Sequence, residues 1–180
     1  MLFDTKIEHR TEPKRPIPEM LKEYQELLES TGRPGVKRLL GWLQSDMGNG
    51  TLNFLQAPAS TRFHNSFPGG LLEHTLNVYH WMMALFSYQL RQDYQEAQLN
   101  DEDAATANSM IESVKIVALL HDLCKVGFYK EEWVNKKVRS ENGSKQDKGG
   151  RFDWVEVQQY RVTDTHKFGH GAASIEIAER

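Results

Sequence analysis

Apolar residues at helical spacing alternate with polar breaks over the first part of the chain. Residues 1–15 are polar and predict a mobile or loosely docked lead-in. A first helix is predicted to begin near Pro18, because proline is favoured in a first helical turn and apolar residues then recur at three- and four-residue steps. These apolar positions are Met20, Leu21, Tyr24, Leu27 and Leu28. Gly32 and Pro34 end the pattern.

Two further helices are predicted on either side of a long loop. The first is short and points Val36, Leu39, Leu40 and Leu43 inward. Residues 48–70 hold too much Gly, Pro, Asn and Ser to be helical, and loops of that length are often functional. Residues 71–90 predict a helix with a wide apolar stripe. The stripe consists of Leu72, Leu76, Tyr79, Met83 and Phe86.

The rest of the chain changes character twice. After a polar interruption at residues 100–103, a helix is predicted that ends close to residues 121–125. Its segment VALL is apolar on every side, which predicts the most buried helix. Residues 128–162 predict a β-hairpin, since FYKEEWVNKKV and RFDWVEVQQYRV flank the polar tip ENGSKQDKGG. A further helix is predicted to start near His170. The predicted fold is therefore one mainly α domain over residues 16–180 with one inserted β-hairpin.

Composition limits the classes of protein that fit. At 180 residues a globular chain buries roughly 70% of its unfolded surface, so a core can form without disulfides. A single cysteine, Cys124, excludes an internal disulfide and fits a reducing compartment. The charged amino-terminal segment lacks the apolar stretch of a secretory signal, and no run approaches the roughly 18 apolar residues of a membrane span. We therefore expect a cytoplasmic protein without a membrane partner.

The charge balance bears on the choice of ligand. Lys and Arg number 22 against 25 Asp and Glu, a formal charge of −3. A slightly acidic protein exerts no general attraction on long nucleic acids, so a polyanionic substrate would need local positive charges. Small anionic ligands remain compatible with this balance.

His121 and Asp122 carry the first indication of chemistry. They directly follow the apolar VALL segment, where an ionised carboxylate needs a compensating charge or several hydrogen bonds. A metal ion supplies that charge, and imidazole with carboxylate suits Mn²⁺, Fe²⁺, Co²⁺, Ni²⁺ or Zn²⁺. The leading candidate for a further ligand is His74, on the helix that follows two glycines. Singly these signals are weak, since a lone His on an apolar face is usually a hydrogen-bonded core residue.

The combination of GGLLEHTLNV with VALLHDLCK resembles the HD-domain metal-dependent phosphohydrolase superfamily. The segment GGLLEHT is especially similar to the HD domains of bacterial exoribonucleases and of bacterial and phage HD proteins. The resemblance covers about residues 58–180. It implies an HD-domain helical bundle in which His74, His121 and Asp122 bind one or two divalent transition-metal ions.

The resemblance also adds His170 as a metal ligand. In two-metal HD proteins a further His opens a later helix and is followed by small residues, and the segment HGAAS is similar to that pattern. The alternative is a helix-start His that caps backbone groups or faces solvent. His166 is a weaker second candidate.

This chain departs from the family at one point. The family normally closes its first metal site with an Asp from a later helix, a position that would follow Arg180. We expect either that the natural polypeptide continues past Arg180, or that water, Asp164 or another chain completes the site. A missing carboxylate would weaken metal binding and could abolish turnover.

Three residues are predicted to act on a phosphate. Lys125 lies one turn after His121, where the family often has a Lys, and the resemblance implies that it binds the substrate phosphate and takes part in catalysis. The alternative is a solvated Lys at the helix end. Arg62 could bind a phosphate with its guanidinium, and His64 could protonate a leaving alkoxide, although both could simply be solvated. Glu73 could orient the neighbouring ligand, but adjacent helix residues point about 100° apart, so a surface carboxylate is expected. Cys124 is expected to be buried and inert.

The predicted hairpin carries aromatic and basic residues that allow a second interpretation. The aromatic residues could stack on nucleobases, but side chains of this kind more often pack a hairpin onto helices. They are Trp133, Phe152, Trp154 and Tyr160. The basic strip is usually no more than a soluble tip. It consists of Lys136, Lys137, Arg139, Lys145 and Lys148.

The sequence thus leads to one functional hypothesis with two alternatives. The first is a phosphohydrolase that cleaves a phosphomonoester or phosphodiester of a small nucleotide-like compound. An alternative enzyme is a nuclease acting on single-stranded nucleic acid, which the GGLLEHT wording and the basic strip favour. The other alternative is a catalytically silent, metal-containing binding or regulatory domain. The sequence leaves the oligomeric state open.

Overall fold

The computed structural model describes residues 10–93, 101–163 and 169–179. Within these ranges the chain forms five helices and one antiparallel sheet of three strands. The helices are α1 (Ile17–Glu29), α2 (Val36–Gln44), α3 (Gly70–Asp93), α4 (Asp101–Leu120) and α5 (His170–Glu179). The strands are β1 (Tyr129–Arg139), β2 (Lys145–Asp147) and β3 (Gly150–Val162), and a short 3₁₀ turn (Leu123–Lys125) follows α4. The prediction of a helix-dominated chain with inserted β-structure is confirmed.

Helix α1 shows how the apolar spacing becomes packing. Its buried residues Met20, Tyr24 and Leu28 lie four residues apart and so share one face. The Tyr24 hydroxyl donates a hydrogen bond to the Leu119 carbonyl oxygen over 3.0 Å, which satisfies the polar end of a fully buried ring and joins α1 to α4. The Tyr24 ring also packs on Phe54, with ring centroids 4.9 Å apart.

The core lies between α1, α2, the first turns of α3 and the end of α4. Its buried members from α3 and α4 include Leu71, Leu72, Leu76 and Leu119. Residues 101–103, predicted as part of a polar interruption, are helical. The prediction that α4 is the most buried helix is wrong, because Val117 in its last segment is 57% exposed.

The β-structure is larger than the predicted hairpin. Strands β1 and β3 pair antiparallel from Tyr129 opposite Val162 to Arg139 opposite Phe152. The predicted polar tip folds back as β2, which pairs with β3, so the strand order is β1-β3-β2 rather than a two-stranded hairpin. This return needs a tight turn, and Gly150 adopts the positive φ of +98° that the turn requires.

A close approach of backbone segments holds the loop before α3. A Cβ atom on Gly70 would lie 2.0 Å from the Asn65 carbonyl oxygen, so only glycine fits there. The neighbouring Gly69 has a φ of +77°. The Asn65 oxygen accepts a hydrogen bond from Ala59 N over 3.0 Å, and this folds residues 60–66 over the start of α3. None of the helices in the described ranges has the length and apolar character needed to cross a lipid bilayer.

Candidate metal centre

Three predicted ligands converge between α3 and the end of α4. The Nε2 atoms of His74 and His121 lie 3.3 Å apart, and they lie 3.3 and 3.2 Å from Asp122 Oδ2, respectively. One potential ligand atom from each residue lies within 4.8 Å of the others. The three side chains together could therefore hold a metal ion.

A hydrogen bond on the side of the ring away from the candidate centre fixes the orientation of His121. Its Nδ1 atom lies 2.8 Å from the Ala118 carbonyl oxygen, which can only accept a hydrogen bond, so the proton is on Nδ1. In the neutral ring this leaves the lone pair of Nε2 directed at the candidate centre. Metal-binding histidines usually have such a second hydrogen bond, because it fixes both tautomer and ring orientation.

Asp122 is surrounded by hydrogen-bond donors. Burial alone would favour its neutral form, but hydrogen bonds from His121, His74 and Lys125 hold the pKa of its carboxyl far below the ordinary value. The Lys125 Nζ atom lies 2.8 Å from Asp122 Oδ2 and also donates to the Ala59 carbonyl oxygen over 2.8 Å. Asp122 is therefore ionised at neutral pH and available to a cation.

The same carboxylate acts on His121. Burial tends to lower the pKa of this imidazole, but the hydrogen bonds to Asp122 and Ala118 outweigh burial and raise it above the ordinary value. Lys125 is only 13% exposed and is bound to a carboxylate and a carbonyl, so it is not the solvated helix-end Lys of the alternative interpretation. The side chain of Lys125 thus places a positive charge against the carboxylate of the candidate centre.

The donor set fits a divalent transition-metal ion. Two imidazole nitrogens and one carboxylate oxygen form the mixed set that Mn²⁺, Fe²⁺, Co²⁺, Ni²⁺ and Zn²⁺ accept. The side chains of His74 and His121 are 22% and 27% exposed, so the centre is open on one side. The described part of the chain contributes three ligands to this group, and three protein ligands with further open positions are typical of catalytic rather than structural metal sites.

The loop over α3 brings His64 to the same place. Its ring packs against His74 with ring centroids 4.8 Å apart. Partial burial and the neighbouring His74 and Lys125 lower the pKa of His64, and the Asp122 carboxylate only partly offsets them. His64 is therefore mainly neutral at pH 7. Arg62, from the same loop, is exposed.

His170 lies beside this centre but outside the group of three. Its Nδ1 atom is 3.2 Å from the Cys124 sulfur, and its ring meets the Phe128 ring edge-on with centroids 6.0 Å apart. Its role as a metal ligand stays a prediction. Asp164 and His166 lie outside the described residues.

Glu73 contradicts the expectation of a surface carboxylate, since it is only 5% exposed. Arg10 binds it at 2.5 Å between Nη2 and Oε1, and Lys14 N donates to Oε2 over 2.9 Å. Arg10 Nη2 also donates to Asn65 Oδ1 over 3.2 Å, so the amino-terminal segment holds the His64 loop and the His74 helix together. The sequence offered only a charged lead-in as a signal for this contact.

Ser174 of α5 is a second residue that sequence reasoning missed. Its hydroxyl donates to the His121 carbonyl oxygen over 2.8 Å and accepts from Cys124 N over 3.2 Å. It is 4% exposed and spans the backbone on both sides of Asp122. Its signal was the run of small residues after His170, which the family resemblance associated with a ligand rather than with close packing. Cys124 is buried as expected.

Comparison with protein-family models, curated proteins and solved structures finds no match to this chain. The assignment of a function therefore depends on the geometry of the centre and on the motifs that form it.

Proposed function

We propose that this protein is a metal-dependent phosphohydrolase of the HD-domain type that cleaves phosphoesters of small nucleotide-like compounds. The observation that carries the proposal is the convergence of His74, His121 and Asp122 from two helices, with their ligand atoms 3.2–3.3 Å apart. One or two divalent transition-metal ions are the cofactor that this donor set fits.

The residues around the centre would have different roles in phosphoester hydrolysis. His74, His121 and Asp122 would hold the ion, with His170 as a candidate for a second one. A bound divalent ion supplies hydroxide near neutral pH and neutralises phosphoryl charge. Lys125 would bind a phosphate oxygen, because its ammonium already lies against the centre. Arg62 would reach the phosphate from the exposed loop.

His64 would handle the proton of the leaving group. Its ring lies against His74, on the side where the loop of residues 60–66 covers the start of α3. Because its pKa is lowered in the free protein, the ring would have to take up a proton before it could give one to the leaving alkoxide and return to its neutral form. A substrate phosphate beside it would raise that pKa and favour this role.

The partial exposure of the candidate centre favours an enzyme over a catalytically silent metal-containing domain. A structural site is normally closed by four protein ligands, whereas the described residues contribute three to this group and leave it partly exposed. A lysine bound to the ligand carboxylate adds a cation that a purely structural site does not need.

Hydrolysis by the metal-loaded protein tests the proposal. The panel contains p-nitrophenyl phosphate, bis-p-nitrophenyl phosphate, nucleoside monophosphates, cyclic nucleotides and a single-stranded oligonucleotide, each with Mn²⁺, Co²⁺, Ni²⁺, Fe²⁺ or Zn²⁺. We expect a small phosphoester to be cleaved, with activity abolished in Asp122→Asn. We expect Lys125→Met to lower kcat/KM about 100-fold, the usual scale for removing one charge-stabilising group.

The matched control for Lys125 is Lys115→Met, because Lys115 donates to Ser30 Oγ instead of the centre. It should keep full activity. Faster cleavage of the oligonucleotide than of every mononucleotide would select the nuclease alternative. Tight metal binding without hydrolysis of any substrate would refute the proposal and select the silent domain.

A further inference from the structure

The three-stranded sheet presents two exposed tryptophans on one face. Trp133 is 63% exposed and Trp154 is 57% exposed, so the interpretation that the hairpin aromatics pack onto helices is wrong for these two. In the β1–β3 register Trp133 lies opposite Gln158 and Trp154 opposite Lys137, which puts both rings on the same side of the sheet. We call this side the aromatic face. A pair of large exposed rings on one face is typical of an interaction surface.

Charge is distributed unevenly along the aromatic face. Glu131 lies on it near the base of the β1–β3 pairing, and Glu156 lies at the middle. Arg139 and Lys145 lie at the tip, both beside Phe152. Lys137 forms an ion pair with Asp147 and so adds no net charge. The face thus has one carboxylate near its base, a second between the two tryptophans, and two cationic side chains at its tip.

This pattern disfavours a nucleic acid as the partner. A strand of phosphates is negative along its whole length and needs a continuous positive track beside stacking rings. On the aromatic face the two carboxylates lie between or next to the tryptophans and cancel the charge of Arg139 and Lys145.

A surface with opposite charges at its two ends is complementary to a reversed copy of itself. In a two-fold dimer the same patch is used on both subunits, so an antiparallel arrangement brings Glu131 of one sheet to Arg139 and Lys145 of the other, while Glu156, at the middle of the face, meets its own counterpart. We propose that the aromatic face is a homodimer interface in which two sheets pack face to face and antiparallel, burying Trp133 and Trp154.

The available area sets the strength of this contact. Strand β1 has 11 residues, and at 3.3 Å per residue the face is about 36 Å long. The face is about 10 Å wide along most of its length and about 15 Å wide at the tip, where the three residues of β2 add a third strand, so each subunit would bury about 400 Å² and the total of about 800 Å² is in the range of weak, transient interfaces. We therefore expect a reversible dimer with a dissociation constant of about 1 µM or weaker.

Sedimentation equilibrium over a wide concentration range gives the first test. The wild-type chain should pass from monomer to dimer as concentration rises. The variant Trp133→Ser/Trp154→Ser should remain monomeric, with an unchanged melting temperature because both side chains are exposed. A wild-type protein that stays monomeric at all concentrations, or a double variant that dimerises like wild type, would overturn the proposal.

Charge reversal tests the antiparallel arrangement itself. One variant, Glu131→Lys/Glu156→Lys, makes the face basic throughout, and a second, Arg139→Glu/Lys145→Glu, makes it acidic throughout. Each should be monomeric alone, and an equimolar mixture of the two should form a heterodimer. The matched control is Lys136→Glu/Arg151→Glu, which changes the same charge on residues that the register places on the opposite face.

The remaining outcomes also decide the question. If the mixture stays monomeric, or if the opposite-face control disrupts the dimer as strongly, the aromatic face is not the interface. If the wild-type monomer instead binds a single-stranded oligonucleotide, and Arg139→Glu/Lys145→Glu abolishes that binding, the face belongs to nucleic acid and the dimer proposal is wrong.

Discussion

The Nε2 atoms of His74 and His121 lie 3.3 Å apart although 47 positions separate the residues in sequence. Two imidazole lone pairs at this distance repel, so a proton or a cation must lie between them. His121 already binds the Ala118 carbonyl oxygen through Nδ1, and both Nε2 atoms contact Asp122. Protons and a metal ion therefore compete for the same three atoms.

This competition predicts that metal affinity falls with falling pH. The pKa of His121 is raised above its ordinary 6.5, so its imidazole binds a proton at a higher pH than a free histidine does. Below that pKa the dissociation constant should rise about tenfold per pH unit. Calorimetric titration with Mn²⁺ between about pH 8 and pH 6 measures this change in the dissociation constant. An affinity that is constant over this range would contradict the assignment of His121.

The buried ion pair beside the centre makes a prediction for stability. Arg10→Met leaves the Glu73 carboxylate, which is 5% exposed, with Lys14 N as its described donor. Because Arg10 itself is 32% exposed, we expect a loss of about 1–3 kcal/mol in the free energy of unfolding, below the range for fully buried pairs. Urea denaturation measures this change.

The chain offers a matched control for Arg10. Arg15 forms an ion pair of the same length, 2.5 Å, with Glu23, but its side chain is 46% exposed. Arg15→Met should therefore change the free energy of unfolding by less than about 1 kcal/mol. Equal effects of the two variants would show that the amino-terminal segment does not support the His74 helix.

Ser174 should affect metal binding without touching the ion. Ser174→Ala leaves the His121 carbonyl and the Cys124 amide without their shared hydroxyl, which should cost about 1–2 kcal/mol of stability. Because these groups hold the backbone around Asp122, metal affinity should also fall about tenfold. The control is Ser113→Ala, whose exposed hydroxyl binds only within α4. Unchanged metal affinity in Ser174→Ala would contradict a positioning role.

Any side chain at position 70 should displace the backbone of the His64 loop. A methyl group at this position would lie 2.0 Å from the Asn65 carbonyl oxygen, so Gly70→Ala must displace backbone, at a cost of about 3 kcal/mol or more. Gly41→Ala in α2 adds a methyl group with no neighbour within 4 Å and should raise stability by about 0.5–1 kcal/mol. Thermal denaturation distinguishes the two, and similar effects would contradict the close approach.

Local patterns in the sequence predicted much of the helical framework. Apolar spacing predicted α1 and α2, because each helix buries one face against the core. The candidate metal centre was predicted for a similar reason: His121 and Asp122 follow an apolar segment, where ionisable groups need a partner. The residues that these patterns identified do meet His74 in space.

The features that the sequence did not predict depend on contacts between distant segments. Arg10 and Glu73 are 63 positions apart, and neither residue alone indicates that the other will bury it. Strand β2 forms because it can pair with β3, although its Lys-Gln-Asp sequence has a low β propensity. The exposure of Trp133 and Trp154 depends on how the sheet lies relative to the helices, which strand periodicity does not determine.

Metal binding by matched histidine variants tests the central claim most directly. Calorimetric titration compares the wild-type chain with His74→Ala, His121→Ala and His80→Ala. The exposed His80 side chain contacts Glu23, outside the centre. Wild type and His80→Ala should bind a divalent ion alike, whereas loss of His74 or His121 should weaken binding about 100-fold. Equal affinity in the wild type and His121→Ala would contradict the account.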